Sequence, residues 1–389
     1  MNVKWVNALS SRDSIDFEQS PRRSYRVFPR WTSRFWTWLT GVPEEGQRPL
    51  FSPTPFMYAA LATGTYLCGI GLGVYSFRLH GGLFPVTVAT CWVMTVNGAR
   101  RMISTVAHQC VHGVFSGNKR LDLACAEVLS ALTLTQTAAD YRNDHFGLHH
   151  RHEVFSSIAD PSARLLWDAG FRPGRSVRHL CWILLATAIS PWFHGKFVCR
   201  RIISQSRGQL QWYRLGSLLL VCAGLWLLAS ATTLHAVLFG AVLPVTVLYQ
   251  ASVLLEFVSE HAWFVAGSPV GRRKYVHGTH SWGRFCGRRT PSANGKGLIC
   301  ATLEWLVWAA EHLVYHLPVR LVVLPGDLSQ HDFHHRNPSD SGWKTAAYAR
   351  RDDVDAGDRR WPPYREFWGL HNAIGHVFRG IATATVIPD

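Results

Sequence analysis

Four apolar runs constrain this chain more than anything else in it: Phe56 to Phe77, Gly81 to Ala99, Leu215 to Ala231 and Ala236 to Val258. Each approaches or reaches the roughly 17 to 25 residues with which a helix crosses a bilayer's hydrocarbon core. They fall into two close pairs, joined by a few residues around His80 and by Thr232 to His235. A pair joined so tightly reads as a helical hairpin that enters the membrane and returns. Neither hairpin resembles a cleaved signal, because the first begins after a long Arg-rich leader.

The net charge of +15 raises the question of nucleic acid, so its placement matters more than its size. Lys4, Arg12, Arg22, Arg23, Arg26, Arg30 and Arg34 lie in the leader, and the stretch from Lys119 to Arg207 is again basic, whereas the hairpin turns offer Arg78. By the positive-inside rule both termini, the middle segment and the C-terminal segment are expected in the cytoplasm. No nucleic-acid-binding motif accompanies the charge, so no nucleic acid partner is expected. The expectation is an all-α integral membrane protein of two transmembrane hairpins, four spans in all, under a cytoplasmic helical cap. Residues 1–55 form a basic cytoplasmic leader, 56–338 the membrane domain, and 339–389 a polar cytoplasmic tail.

Two further apolar stretches read as lying on the membrane or against protein. Val177 to Phe193 has Arg178 and His179 at one end and Pro191 at the other, and Leu298 to Leu324 is interrupted by Glu304, Glu311, His312, His316 and Arg320. Gly267 to Gly297, rich in glycine and charge, reads as loop. The nine cysteines show no paired spacing and are expected to be reduced, mostly buried thiols.

Three dense histidine groups carry the chemistry. His108 and His112 form HQCVH; His145, His149 and His150 form HFGLHH, with His152 just after; His331, His334 and His335 form HDFHH. Side chains four apart project from one helix face, so both imidazoles of an HxxxH can reach one metal. His150 and His334 add ligands on an adjacent face, which suits a second metal. A single HxxxH is common by chance; three such groups at the cytoplasmic ends of spans are not. One zinc takes three or four ligands and structural zinc usually includes Cys, so eight imidazoles without thiolate indicate two metals. Oxygen-activating iron is the choice here, although imidazole also suits copper and zinc. His80, His179, His194, His235, His277, His280, His371 and His376 are scattered and read as structural or solvent-facing. Asp144, Glu260, Glu311 and Asp332 are the carboxylates beside the groups, in position to accept an imidazole N–H.

These groups, in order, resemble the three histidine boxes of the membrane fatty acid desaturase and hydroxylase superfamily. YRNDHFGLHHRH followed by Asp160 and Pro161 is similar to its second box, and HHRNP around His335 to the third box of the alkane hydroxylase branch. The resemblance covers Phe56 to about Pro338. It implies two Fe ions, O2 as co-substrate, and electrons from a separate ferredoxin, rubredoxin or cytochrome. It also implies a ninth ligand near the end of the fourth span, where His261 stands, with His312 as competitor. The implied activity is desaturation of a fatty acyl or lipid-like substrate, with hydroxylation of an alkyl chain or specialised metabolite as the alternative. Trp92 and Trp226 are candidates to line the substrate pocket. A membrane metal transporter or sensor is the competing class, but it would place ionisable groups along the spans, which apart from Glu256 are almost free of them.

Overall fold

The computed structural model describes residues 20–206, 211–264, 273–292, 295 and 297–384. Lys4, Arg12 and the last five residues, expected in leader and tail, lie outside these, as does Gly267. Among the described residues the chain is helical, with two strands of three residues each. Four helices are long and apolar enough to cross a membrane: Pro55–Arg78, Trp212–Ala231, Leu234–Glu260 and Leu298–Val323.

Three of the four coincide with expected spans. The Gly81 to Ala99 run does form a helix, Leu83–Arg100, but Asn97 and Arg100 dilute its apolar character and it falls outside the set. Leu298–Val323 stands in it instead, despite the polar residues that assigned it to the membrane surface. Those residues share one stripe: His312, His316 and Arg320 are buried, and Glu304 and Glu311 half-buried. Leu303, Leu306, Val307, Leu313 and Val314 leave the opposite face apolar and exposed. Val177 to Phe193 breaks at Ser190, whose side chain caps a new helix starting at Pro191. The remaining Val177–Ile189 piece is a shorter apolar helix of 13 residues.

The chain divides into two compact units. One comprises Pro53–Leu148 and Trp182–Leu255. Its first long helix starts at Pro55, where the missing N–H costs nothing, with Thr54 accepting the Met57 N–H. It meets its neighbours backbone to backbone. A Cβ on Gly98 would lie 2.4 Å from Tyr66 N, one on Gly69 2.5 Å from the Thr95 hydroxyl, and one on Gly73 2.5 Å from Gly240 O. Small residues at such contacts are how apolar helices pack where lipid removes the hydrophobic drive between them. At the polar end of this unit, buried Arg214 donates to Glu127 at 2.5 Å and to Thr135 O at 2.8 Å. Arg201 likewise donates to the carbonyls of Thr133 and Val245.

The other unit comprises Met1–Ser52, His149–Cys181 and Glu256–Asp389. Gly283–Phe285 pairs in parallel with Glu366–Trp368, and the expected loop also holds a helix, Arg273–His280. The Leu370–Thr383 helix buries Leu370, Ala373, Val377, Phe378 and Ile381, the spacing of one helical face. Within the third histidine group, Asp332 is held by Arg350 through Nε at 3.0 Å and Nη2 at 2.9 Å, and Arg350 also reaches Glu366 at 2.8 Å.

All nine cysteines are free, as expected, but Cys91, Cys110 and Cys286 alone are buried. Cys68, Cys181, Cys199, Cys222 and Cys300 are exposed, since several apolar helices turn their faces outward rather than into a core.

Candidate metal centre

Four imidazoles converge in the second unit. His149, His261, His331 and His335 each offer a ring nitrogen, and these atoms all lie within 4.8 Å of one another. All four rings are at least nine-tenths buried. His331 and His335 come from one short helix, His331–Arg336, four residues apart and so on one face. His261 follows the end of the Leu234–Glu260 helix, held by a bridge to Ser281. Two observations fit a metal. The Nε2 atoms of His331 and His335 face each other at 3.1 Å, and the fully buried His261 Nε2 has no hydrogen-bond partner among the described residues. A buried polar atom left in that state is costly unless something else binds it. His150 and His334, also in this unit, bring Nε2 to Nε2 at 3.2 Å.

Burial, reinforced by the neighbouring His149, holds the His261 pKa well below its usual value. Burial followed by the His150 and His331 rings does the same to His335. Both are therefore neutral at physiological pH, the form that binds metal. For His149, burial pulls the pKa down, but the charge and hydrogen bond of Asp160 outweigh it and the net shift is upward.

The first unit supplies a second cluster. His108, His112 and His145 are part of a group whose ligand atoms lie within the same 4.8 Å. The Leu83–Arg100 helix runs on without a break through a π-helical turn, Arg101–Ala107, into His108–His112. The His108 Nδ1–H donates to Ser104 O at 3.2 Å, which holds the ring proton on Nδ1. Gly113, in the left-handed conformation at φ 73°, ends the helix.

The expected pairing fails at one place. His145 and His149 do not share a group, although they stand four apart. Both stand within the π-helical stretch Asn143–His149. His312 joins neither group. Its Nδ1–H donates to Trp308 O at 2.7 Å and its Nε2 lies 2.7 Å from the Tyr25 hydroxyl, so both nitrogens are engaged structurally. His277, read as structural or solvent-facing, has no exposure and stacks at 20° on His335 and at 24° on His150.

The carboxylates sort differently from their sequence neighbours. Asp332 pairs with Arg350, Asp144 lies 3.4 Å from the Gln136 amide, and Glu311 lies 3.4 Å from His316 rather than on His312. Glu260 comes within 3.9 Å of His331 Nε2. The residue missed is Asp160, whose Oδ2 accepts the His149 Nδ1–H at 2.8 Å and the Ser156 N–H at 3.0 Å. The Asp-Pro pair after the second group was the available signal. Phe155 was also missed, and its ring lies 4.7 to 5.1 Å from those of His149, His261, His277 and His335.

A cavity of about 830 Å³ in the first unit is walled by Leu123, Val128, Ala138, Phe146 and Tyr213 among others, with neither Trp92 nor Trp226 in its lining. Trp226 is exposed, and the Trp92 indole donates to Phe239 O at 2.7 Å. Phe146 also lies edge-on to His112, ring centres 5.4 Å apart.

The sequence model of the fatty acid desaturase family matches residues 83–368, which take in all three histidine groups and His261. No curated protein matches the chain.

Proposed function

We propose that this chain, which belongs to the fatty acid desaturase family, is a membrane diiron oxidoreductase that uses O2 to desaturate a fatty acyl or lipid-like substrate. The observation that carries the reading is the buried all-imidazole set of His149, His261, His331 and His335. An imidazole set without thiolate suits an iron that must change oxidation state and keep a position open. These four hold one iron, and His108, His112 and His145 are ligands of the other. His261, not His312, is the ninth ligand.

When bound, the iron pair supplies the redox chemistry by which O2 is reduced and an unactivated C–H bond is oxidised. The chain's own residues do the rest. Asp160 keeps the proton of His149 on Nδ1 and so turns Nε2 toward the metal. Ser104 does the same for His108. Phe155 and the buried rings around it exclude water. The cavity behind Phe146 is apolar enough for a hydrocarbon chain. Electrons come from a separate ferredoxin, rubredoxin or cytochrome.

In the proposed topology Pro55–Arg78 with Leu83–Arg100, and Trp212–Ala231 with Leu234–Glu260, are the two hairpins, with the histidines on the cytoplasmic side. The nitrogens of His261 and His331 lie within 4.8 Å of each other, which supports a chain that returns between them to the side it left. Leu298–Val323 then lies in the membrane without crossing it.

Reconstitution with ferredoxin, its reductase, NADPH and acyl substrates, under air and under argon, tests the reaction. Product with one new double bond is expected under air alone, and equal product under argon overturns it. Label from 18O2 in the product identifies the hydroxylation alternative. Loss of iron in His261→Ala with retention in His312→Ala is the expected ligand result.

A further inference from the structure

Residues 20–52 lie outside the family match, and the proposed reaction gives them no task. Their central helix, Ser33–Thr40, has two unlike faces. Thr37, Leu39 and Thr40 are buried, and Trp36 joins an aromatic cluster, stacked on Phe28 at 4.7 Å and edge-on to Trp308 at 5.7 Å. Phe28 in turn meets Trp305 and Trp308. Arg320 donates to Trp38 O at 2.7 Å. The helix is thereby fastened through Trp36 and Trp38 to Leu298–Val323, a helix apolar enough for a membrane and with only 11% of its most apolar stretch buried.

The other face is exposed and aromatic. Trp31 is 83% exposed, Phe35 47% and Trp38 42%, and spacings of four and three put them on one stripe. Arg30 and Arg34 are exposed beside them. Three large apolar side chains left in water beside two arginines would be a poor arrangement for a solvated surface, but they fit the headgroup boundary of a bilayer. There Trp and Phe sink below the phosphates and Arg stays among them.

We infer that the Ser33–Thr40 helix, with Trp31 before it, lies in the plane of the membrane as an anchor that seats Trp31, Phe35 and Trp38 beneath anionic headgroups held by Arg30 and Arg34. The partner is the lipid surface itself. Continuity with the exposed face of Leu298–Val323 selects lipid over a second copy of the chain, because that helix already presents Leu303, Leu306 and Leu313 to the same apolar surroundings. Each arginine near an anionic surface is drawn to it, so the pair makes seating sensitive to lipid charge.

The test places p-benzoylphenylalanine at Phe35 in the full chain, reconstituted in phosphatidylcholine vesicles with and without phosphatidylglycerol, and identifies photoadducts by mass spectrometry. Adducts to lipid are expected, rising several-fold with phosphatidylglycerol, and the rise disappears in Arg30→Gln/Arg34→Gln. The same probe at Arg23, exposed but off the stripe, should give little lipid adduct. Adducts joining two copies of the chain would overturn the inference in favour of a dimer face, and absence of lipid adducts would overturn it outright. Iron content, measured on the same samples, keeps this outcome separate from the fate of the oxidoreductase reading.

Discussion

The carboxylate of Asp160 and the Nδ1 of His149 lie 2.8 Å apart, both buried, and the other Asp160 oxygen accepts the Ser162 N–H at the start of the Pro161–Asp168 helix. One side chain thus sets the orientation of a ligand and caps a helix. Asp160→Asn keeps an acceptor for the cap but loses the charge that makes His149 a better donor. It is expected to fold and to bind Fe(II) about 10- to 100-fold more weakly. Asp160→Ala, which loses the cap as well, should also melt earlier by the equivalent of about 1 kcal/mol. Iron retained after dialysis, alongside melting temperature, checks both. Undiminished iron in Asp160→Asn would remove Asp160 from the site.

His277 lies flat against His335 at 5.4 Å between ring centres. His277→Ala would open space beside two candidate ligands and let their rings turn, whereas His277→Phe fills the gap without a nitrogen. Lower iron content and an altered visible spectrum of the Co(II)-loaded protein are expected for Ala, and near-normal values for Phe. If Phe fails as badly as Ala, the ring acts through its nitrogens and the packing account is wrong.

Where Gly98 meets Tyr66, an added Cβ would sit 2.4 Å from a backbone nitrogen. Backbone on two helices cannot yield locally, so Gly98→Ala must separate Pro55–Tyr75 from Leu83–Arg100. A loss of about 1 to 3 kcal/mol is expected, as for other overpacked contacts, seen as a lower melting temperature in detergent. Gly64→Ala, in open space on Pro55–Tyr75, should leave the protein unchanged or slightly more stable.

His376, packed between Trp282 and Phe367, has its pKa lowered from 6.5 to about 3, by burial first and then by Arg365 and Arg379. The unfolded chain therefore takes up this proton before the folded one does. Stability is full above about pH 6.5 and falls as the pH drops toward 3. The residue's share of that loss is about 1 to 2 kcal/mol at pH 5. His376→Phe should flatten the decline of melting temperature between pH 7 and 5, and an unchanged slope would mean that the ring is protonated in the folded state.

The helical class, three of the four longest apolar helices and the histidine groups were legible in sequence because each rests on local composition or short spacing. Leu298–Val323 was left out of the expected set of long apolar helices because a count of polar residues ignores which face they occupy. His145 and His149 were expected to reach one metal because they stand four apart, yet they fall in different groups, because spacing says which rings share a face and not which rings from elsewhere meet them. Asp160 and His277 needed tertiary structure. Eleven residues separate Asp160 from His149, and 58 separate His277 from its stacking partner His335.

The π-helical turn Arg101–Ala107 has a consequence for how this protein tolerates change. Because Leu83 to His112 is one uninterrupted rod, the wide turn holds one residue more than an α-helical path of the same length. Deleting Ser104 would let the stretch wind as an α-helix with little change in length or in the direction of His108 and His112, whereas a deletion in Leu83–Arg100, where no extra residue is held, would swing them by about 100° around the axis. The wide turn is therefore slack in the rod: one residue can leave it without re-aiming the first pair of histidines, and the same loss one turn earlier would not be absorbed.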